Sequence, residues 1–265
     1  FTHVGTNSYI VGAGEVAVID PGPLIERHVE NLKAALAGET VTHIVVTHTH
    51  MDHSPAADWL KEITGAPIVG AYPRPLDGGK TVEASQEDFA PDIVLKDGDE
   101  ISGPGWTLEA VFTPGHMSNH HCFTLRERNA LFSGDHVMGW NTTIVSPPDG
   151  NMGEYLASLR RCLARDEAVY LPGHGPEIAK PRPFVRAYLG HRLMRESEIA
   201  KCLDSGIATV PDMVRRMYVH LPEAMHRAAA RSVLAHLEHM VETGRAQCEG
   251  AVTAESVFAP ASPAA

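Results

Sequence analysis

Cysteine is sparse and unpaired in this chain: Cys122, Cys162, Cys202 and Cys248 lie far apart and form no CxxC motif. A zinc ribbon and a thioredoxin-type redox motif are thereby excluded, and reduced, mostly buried thiols are the expected state. No apolar run approaches the length needed to cross a bilayer, so a soluble chain without a membrane partner is expected. A basic stretch followed by an apolar segment and a cleavage site is also lacking, which makes the cytoplasm the expected compartment. Aromatic residues make up only 6% of the chain, too few to suggest a row of stacking platforms for single-stranded nucleic acid. Positive charge is short as well, with 22 Lys+Arg against 33 Asp+Glu. The acidic excess falls before residue 180, whereas residues 180–250 carry more Lys and Arg than Asp and Glu. That asymmetry is weak support for a nucleic-acid-facing module, because a solvated helical surface gives the same count.

The 265 residues and 43% apolar content suffice for a full core. Two short strands are expected around Asn7–Val11 and Val16–Asp20, stopped by Pro21-Gly22-Pro23. A helix follows over Ile25–Ala37, then a buried strand at His43–Thr47, a helix at Ala56–Thr64 and a strand at Pro67–Gly70. Tyr72–Pro91 reads as a long polar loop of the kind that often contacts substrate. Further strands are expected at Thr107–Phe112, His121–Leu125 and Ala130–Ser133. The repeated order of strands, helix and strands suggests an α+β fold, a β-sandwich with helices packed outside. From Pro181 the pattern turns helical, with helices over Phe184–Leu203, Val210–Tyr218 and Pro222–Thr243. The expected division is a catalytic domain over 1–180, a winged-helix-like module over 181–250 and a flexible, Ala/Pro/Ser-rich tail over 251–265.

The decisive segment is Thr47-His48-Thr49-His50-Met51-Asp52-His53. Four metal-ligating side chains directly after a buried strand can converge if the chain turns sharply there. His48 and His50 share one parity and can face the same ion, while Asp52 and His53 on the turn can serve a neighbouring one. Imidazole and carboxylate suit zinc and its neighbours. Three later segments, Thr113-Pro114-Gly115-His116, Ser133-Gly134-Asp135 and Leu171-Pro172-Gly173-His174, each place a His or Asp in a glycine turn after an apolar run. Glycine there lets the backbone bend tightly enough to aim each side chain at a common point.

These ordered motifs resemble the metallo-β-lactamase superfamily, whose pattern is an Asp ending an early strand, HxHxDH, a later His, a bridging Asp and a final His. The resemblance implies an αββα sandwich and two divalent ions, zinc first, with manganese and iron as alternatives. It assigns His48, His50 and His116 to one ion, Asp52, His53 and His174 to the other, and Asp135 to both. Asp20 is expected to be a structural residue beside the site. A bridging hydroxide would be the nucleophile, and Asp52 is the candidate catalytic residue that orients it.

True β-lactamases of this fold often carry Cys where Asp135 stands, and flavodiiron proteins carry Glu where His50 stands; both readings lose ground. Gly5–Tyr9, Thr113–His120, Ser133–Met138, Pro147–Gly150 with Tyr155–Leu159, and His191-Arg192 with Arg195-Glu196 are similar to a lactamase-beta-like subgroup related to glyoxalase II. That subgroup adds a C-terminal winged helix. The resemblance implies hydrolysis of an ester, thioester or related acyl substrate, a small-molecule partner. The alternatives are single-stranded RNA cleavage, a mononuclear-iron persulfide dioxygenase, and a non-catalytic binding module. Beside the ligand set, His120, Trp140 and Asn141 are candidate substrate contacts, whereas His121 and His136 are expected to pack. On the long tail helix, Arg186, His191, Arg192 and Arg195 either border the cleft and admit an anionic substrate or pair with nearby carboxylates such as Glu196 and Glu198.

Overall fold

The computed structural model describes residues 5–76 and 84–261. The first sheet runs in the order β1 (Tyr9–Ala13), β2 (Glu15–Ile19), β3 (Thr40–Val45), β4 (Ile68–Gly70), β5 (Ile93–Val94). β1 and β2 form an antiparallel hairpin and the remaining neighbours are parallel. Two helices cover this sheet, α1 (Glu26–Ala35) and α2 (Ala56–Thr64). The second sheet takes β6 (Glu100–Gly103), β7 (Trp106–Phe112), β8 (His121–Leu125), β9 (Ala130–Gly134) and β10 (Val169–Pro172) in reverse spatial order. Only β9 and β10 are parallel in it.

Strand alternation builds the layers. In β2, Ala17 and Ile19 point to the space between the sheets, where they meet Leu108, Ala110, Phe123 and Phe132. Val16 and Val18 point the other way, onto Leu32 of α1 and Leu60 of α2. Strands buried on both faces carry near-continuous apolar runs, as β2 does from Val16 to Ile19, whereas β3 is apolar and buried on both faces only at its end, Ile44-Val45. On the outer side of the second sheet, Val111, Cys122, Leu131 and Tyr170 pack on α3 (Met152–Leu163) through Tyr155, Leu156 and Leu159. The result is an αββα sandwich of the α+β class.

Helix α4 (Pro181–Asp204) starts earlier than Phe184 because its prolines sit in the first turn, where a missing N–H costs nothing. With α5 (Val210–Met217) and α6 (His226–Glu242) it encloses a separate cluster of Ile199, Met213, Val214, Val233 and Leu237. Val185 and Tyr188 of α4 and Ala235 of α6 join the cluster around α3 instead. The expectation of a structureless tail beyond Gly250 fails at β12 (Phe258–Pro260), which pairs antiparallel with β11 (Ala246–Cys248). The buried Phe258 ring, 2% exposed, anchors that wing in the helical core. Within the expected loop at Tyr72–Pro91, residues 77–83 lie outside the described residues; β5 and β6 were not anticipated. Among the described residues no helix is long and apolar enough to cross a membrane.

Candidate metal centre

The C-terminal ends of β2, β3, β7, β9 and β10 meet at one edge of the sandwich. They carry Asp20, the His48–His53 turn, His116, Asp135 and His174 respectively. Donor atoms of His48, His50, His116 and Asp135 lie within 4.8 Å of one another, as do those of Asp52, His53 and His174. His48 Nε2 and His116 Nε2 each stand 3.0 Å from His50 Nδ1. In the second group His174 Nε2 is 3.1 Å from Asp52 Oδ2 and 3.3 Å from His53 Nε2. Asp135 reaches both groups: Oδ2 is 3.2 Å from His174 Nε2 and 3.7 Å from His116 Nε2, and Oδ1 is 3.4 Å from His53 Nε2.

The outer nitrogens fix which atoms face inward. His116 Nδ1 donates to the Ile144 carbonyl at 2.6 Å and His174 Nδ1 to the Gly5 carbonyl at 2.9 Å. His53 Nδ1 donates to Asp20 Oδ2 at 2.8 Å. His48 Nδ1 donates to Thr47 Oγ1, whose own proton goes to Asp20. With those protons outside, the inner Nε2 atoms of His48 and His116 present lone pairs, those of His53 and His174 share a proton with the adjoining carboxylates, and the buried Asp135 Oδ1 has no hydrogen-bond donor. Two clusters of imidazole and carboxylate donors, most of them buried and joined by Asp135, are the chemistry that divalent ions of the zinc type prefer, so the donor set fits two such ions.

The chain belongs to the metallo-β-lactamase superfamily. Its residues 2–174 match the family model described as "Metallo-beta-lactamase superfamily", and residues 209–254 match the "Beta-lactamase associated winged helix domain". It is 32% identical over 250 residues to the beta-lactamase-like protein 2 homolog of Caenorhabditis elegans, covering 92% of this chain and 81% of that protein. It is also 32% identical over 234 residues to an atrochrysone carboxyl ACP thioesterase of Aspergillus fumigatus, covering 82% of this chain and 70% of the relative. A metallo-beta-lactamase family protein from Thermus thermophilus shares the fold at a TM-score of 0.77 and 23% identity, over 96% of this chain and 93% of its own. This metallo-β-lactamase superfamily member is an enzyme, a metal-dependent hydrolase of that fold.

Electrostatics divide the two groups of this superfamily site. Burial and the neighbouring His116 push His50 down to about 3, and burial with His53 and His50 holds His48 well below its usual range. Both rings are neutral and ready to coordinate. Burial opposes the charge on His174, but hydrogen bonds to Asp135 and Asp52 outweigh it and raise that ring to about 10. Burial likewise opposes the charge on His53, but Asp135 and Asp20 outweigh it and hold that ring well above its usual range. A metal bound there would therefore displace protons from His53 and His174 but none from His48 or His50. The folded value of His174 lies above its unfolded ~6.5. Its stabilising contribution in the metal-free protein is thus complete below about pH 6.5 and is lost as pH rises toward about 10. The melting temperature of the metal-free protein is expected to fall across that window, while metal affinity at the Asp52, His53 and His174 group rises. Melting curves and chelator competition at several pH values would check both; a flat profile would refute the assignment.

Asp20 supports both groups. Its left-handed backbone, φ 46°, is one that Asp tolerates, and it accepts from Thr47 N, Thr47 Oγ1 and His53 Nδ1. Asp20→Asn puts an amide where acceptors are needed. Metal affinity at the His53 group is expected to drop by about 10–100-fold, read by chelator competition; an unchanged affinity would remove Asp20 from this role.

Other expectations change. His120 does not face the cleft: it is fully buried, Nδ1 donates to Thr113 Oγ1 at 2.9 Å, and Nε2 accepts from the Asp135 amide at 3.1 Å. Burial and the adjacent His136 keep it neutral, as accepting an amide proton requires. Trp140 and Asn141 are exposed on the loop whose Gly139 amide donates to the His174 carbonyl, so they stand at the rim. His121 lies against Phe112 with the rings tilted, and His136 against Tyr155. Arg195 pairs with Glu198 at 2.8 Å and sits over Tyr218, while Arg192 is buried; neither is presented to an anionic substrate. Thr47 and the Ile144 and Gly5 carbonyls were not anticipated, because a backbone oxygen or a common threonine leaves no sequence signature.

Proposed function

We propose that this chain hydrolyses an ester or thioester of a small acyl substrate with two metal ions, zinc first. His48, His50 and His116 would hold one ion, Asp52, His53 and His174 the other, and Asp135 both. In this reading residues 1–180 carry the chemistry and the helical module over 181–250 flanks it. The observation that carries the proposal is the reach of the single Asp135 carboxylate into both donor groups. Bound there, divalent ions would activate a water and polarise a substrate oxygen. Asp52 is the carboxylate of the set most open to the cleft, its side chain 29% exposed. Thr6 Oγ1 donates to its Oδ2 at 3.0 Å, which leaves Oδ1 to orient a water or take its proton. No Ser or Cys nucleophile is required.

Apolar side chains around the cleft favour an acyl substrate over a polyanion. Leu24, Ile25, Met51 and Trp140 are all exposed. The loop of Leu24 and Ile25 is tied to the His53 turn through Gly22, and that of Trp140 to the His174 turn through Gly139. The thioesterase among the relatives points the same way. Assay of zinc-loaded protein against short and long acyl thioesters, lactones and single-stranded RNA would test the reading. Thioester hydrolysis that improves with acyl length is expected. RNA cleavage without thioester hydrolysis would overturn it, as would one iron per chain with persulfide oxygenation.

A further inference from the structure

The His191-Arg192 motif of α4 has no part in the chemistry above, yet Arg192 is 3% exposed, deep for a guanidinium. Burying such a charge is costly and calls for a compensating role. Its partners are the Thr143 carbonyl, to which Nη2 donates, and the face of Tyr155, 5.3 Å from the ring centre. One turn earlier on the same helix, the Tyr188 hydroxyl sits between the Met138 and Asn141 carbonyls. Both side chains therefore grip the loop that follows Asp135.

That loop is wired to the metal centre at each end. Thr143 Oγ1 donates to the Asp135 carbonyl at 2.6 Å, closing the loop on the residue that reaches both donor groups. The next carbonyl, that of Ile144, takes the Nδ1 proton of His116. Two consecutive carbonyls are thus held, one by Arg192 and one by a candidate ligand. A shift at the first turns the second, and with it the His116 ring. Gly139 N donates to the His174 carbonyl at 2.8 Å, so the span gripped by Tyr188 also bears on the other group.

Resting on the two-metal reading, we infer that Arg192 and Tyr188 are positioning residues: the helical module sets the orientation of His116 and Asp135 by clamping the 138–144 loop. The module then acts on the metal centre through hydrogen bonds rather than by contacting substrate.

The test uses the full chain as wild type, Arg192→Met, Arg192→Lys, Tyr188→Phe and Glu196→Gln. Glu196 holds His239 and Arg245 within the module and does not touch the loop, so its variant reports damage to the module alone. Zinc affinity by chelator competition, the absorption spectrum of the cobalt-substituted protein and the melting temperature are read for each. Arg192→Met is expected to weaken zinc binding by about 10–100-fold and shift the cobalt bands, with Arg192→Lys recovering much of both. Tyr188→Phe is expected to give a smaller shift of the same kind, which keeps the test alive if Arg192→Met does not fold. Glu196→Gln is expected to lower the melting temperature and leave affinity and spectrum unchanged. Wild-type affinity and spectrum in the Arg192 and Tyr188 variants, whatever their melting temperatures, would overturn the inference. A wild type that binds no zinc would instead overturn the two-metal reading.

Discussion

Asp135→Ala is expected to strip metal from both donor groups at once and to reduce kcat/KM by about 10³-fold or more, beyond the loss of a single oxyanion donor elsewhere. One oxygen of this carboxylate lies 3.2 Å from His174 Nε2 and the other 3.4 Å from His53 Nε2, while His116 Nε2 is within 3.7 Å. Burial would raise its pKa, but His53 and His174 outweigh that and hold the carboxyl well below its usual range, so the group is anionic. Removing it would delete the negative charge that both donor groups share, so neither would hold a divalent ion as well. His174→Ala, by contrast, removes one donor from one group, and is expected to deplete that ion while His48, His50 and His116 keep theirs. Elemental analysis of the two purified variants distinguishes these outcomes. If both lost the same single equivalent, the sharing assigned to Asp135 would be wrong.

The donor residues were legible in the sequence because chemistry concentrated them. Three imidazoles and a carboxylate between His48 and His53 are hard to explain as a polar turn, and each later Gly-His or Gly-Asp turn follows an apolar strand. The sandwich was legible for a related reason: β2 and the Ile44-Val45-Val46 end of the β3 segment are buried on both faces and so read as strands wherever they sit. Elements with few apolar residues were not. β5 consists of Ile93 and Val94, both exposed at the sheet edge, and β12 is a short apolar triplet in a stretch of Ala, Pro and Ser. His120 and Arg192 show a different limit. Proximity along the chain said that His120 is near the site but not which side of Asp135 it faces. An arginine on a helix reads as solvated surface, and only the docking of α4 onto the 138–144 loop reveals a buried donor.

Gly115→Ala is expected to be among the most destabilising single changes, costing about 4 kcal/mol or more, because two independent effects coincide there. Gly115 has φ +132°, a conformation that L side chains rarely adopt. A Cβ at this position would also stand 2.3 Å from the backbone N and Cα of Tyr155. Neither atom can step aside, since Tyr155 N donates to Asn151 O within the first turn of α3, and Asn151 N in turn donates to Gly115 O at 2.9 Å. Relief therefore requires α3 to lift from the second sheet or the turn bearing His116 to move out of the cluster. Gly98→Ala separates the two effects, for its φ of +81° is also left-handed but nothing lies within 4 Å of the added carbon. Backbone strain alone should cost that variant about 1–2 kcal/mol. Urea unfolding of both proteins in the metal-free form measures the difference, and chelator competition reports whether His116 has left its place. Similar losses in the two variants would mean that the close approach of α3 to the His116 turn is not what excludes a side chain at Gly115.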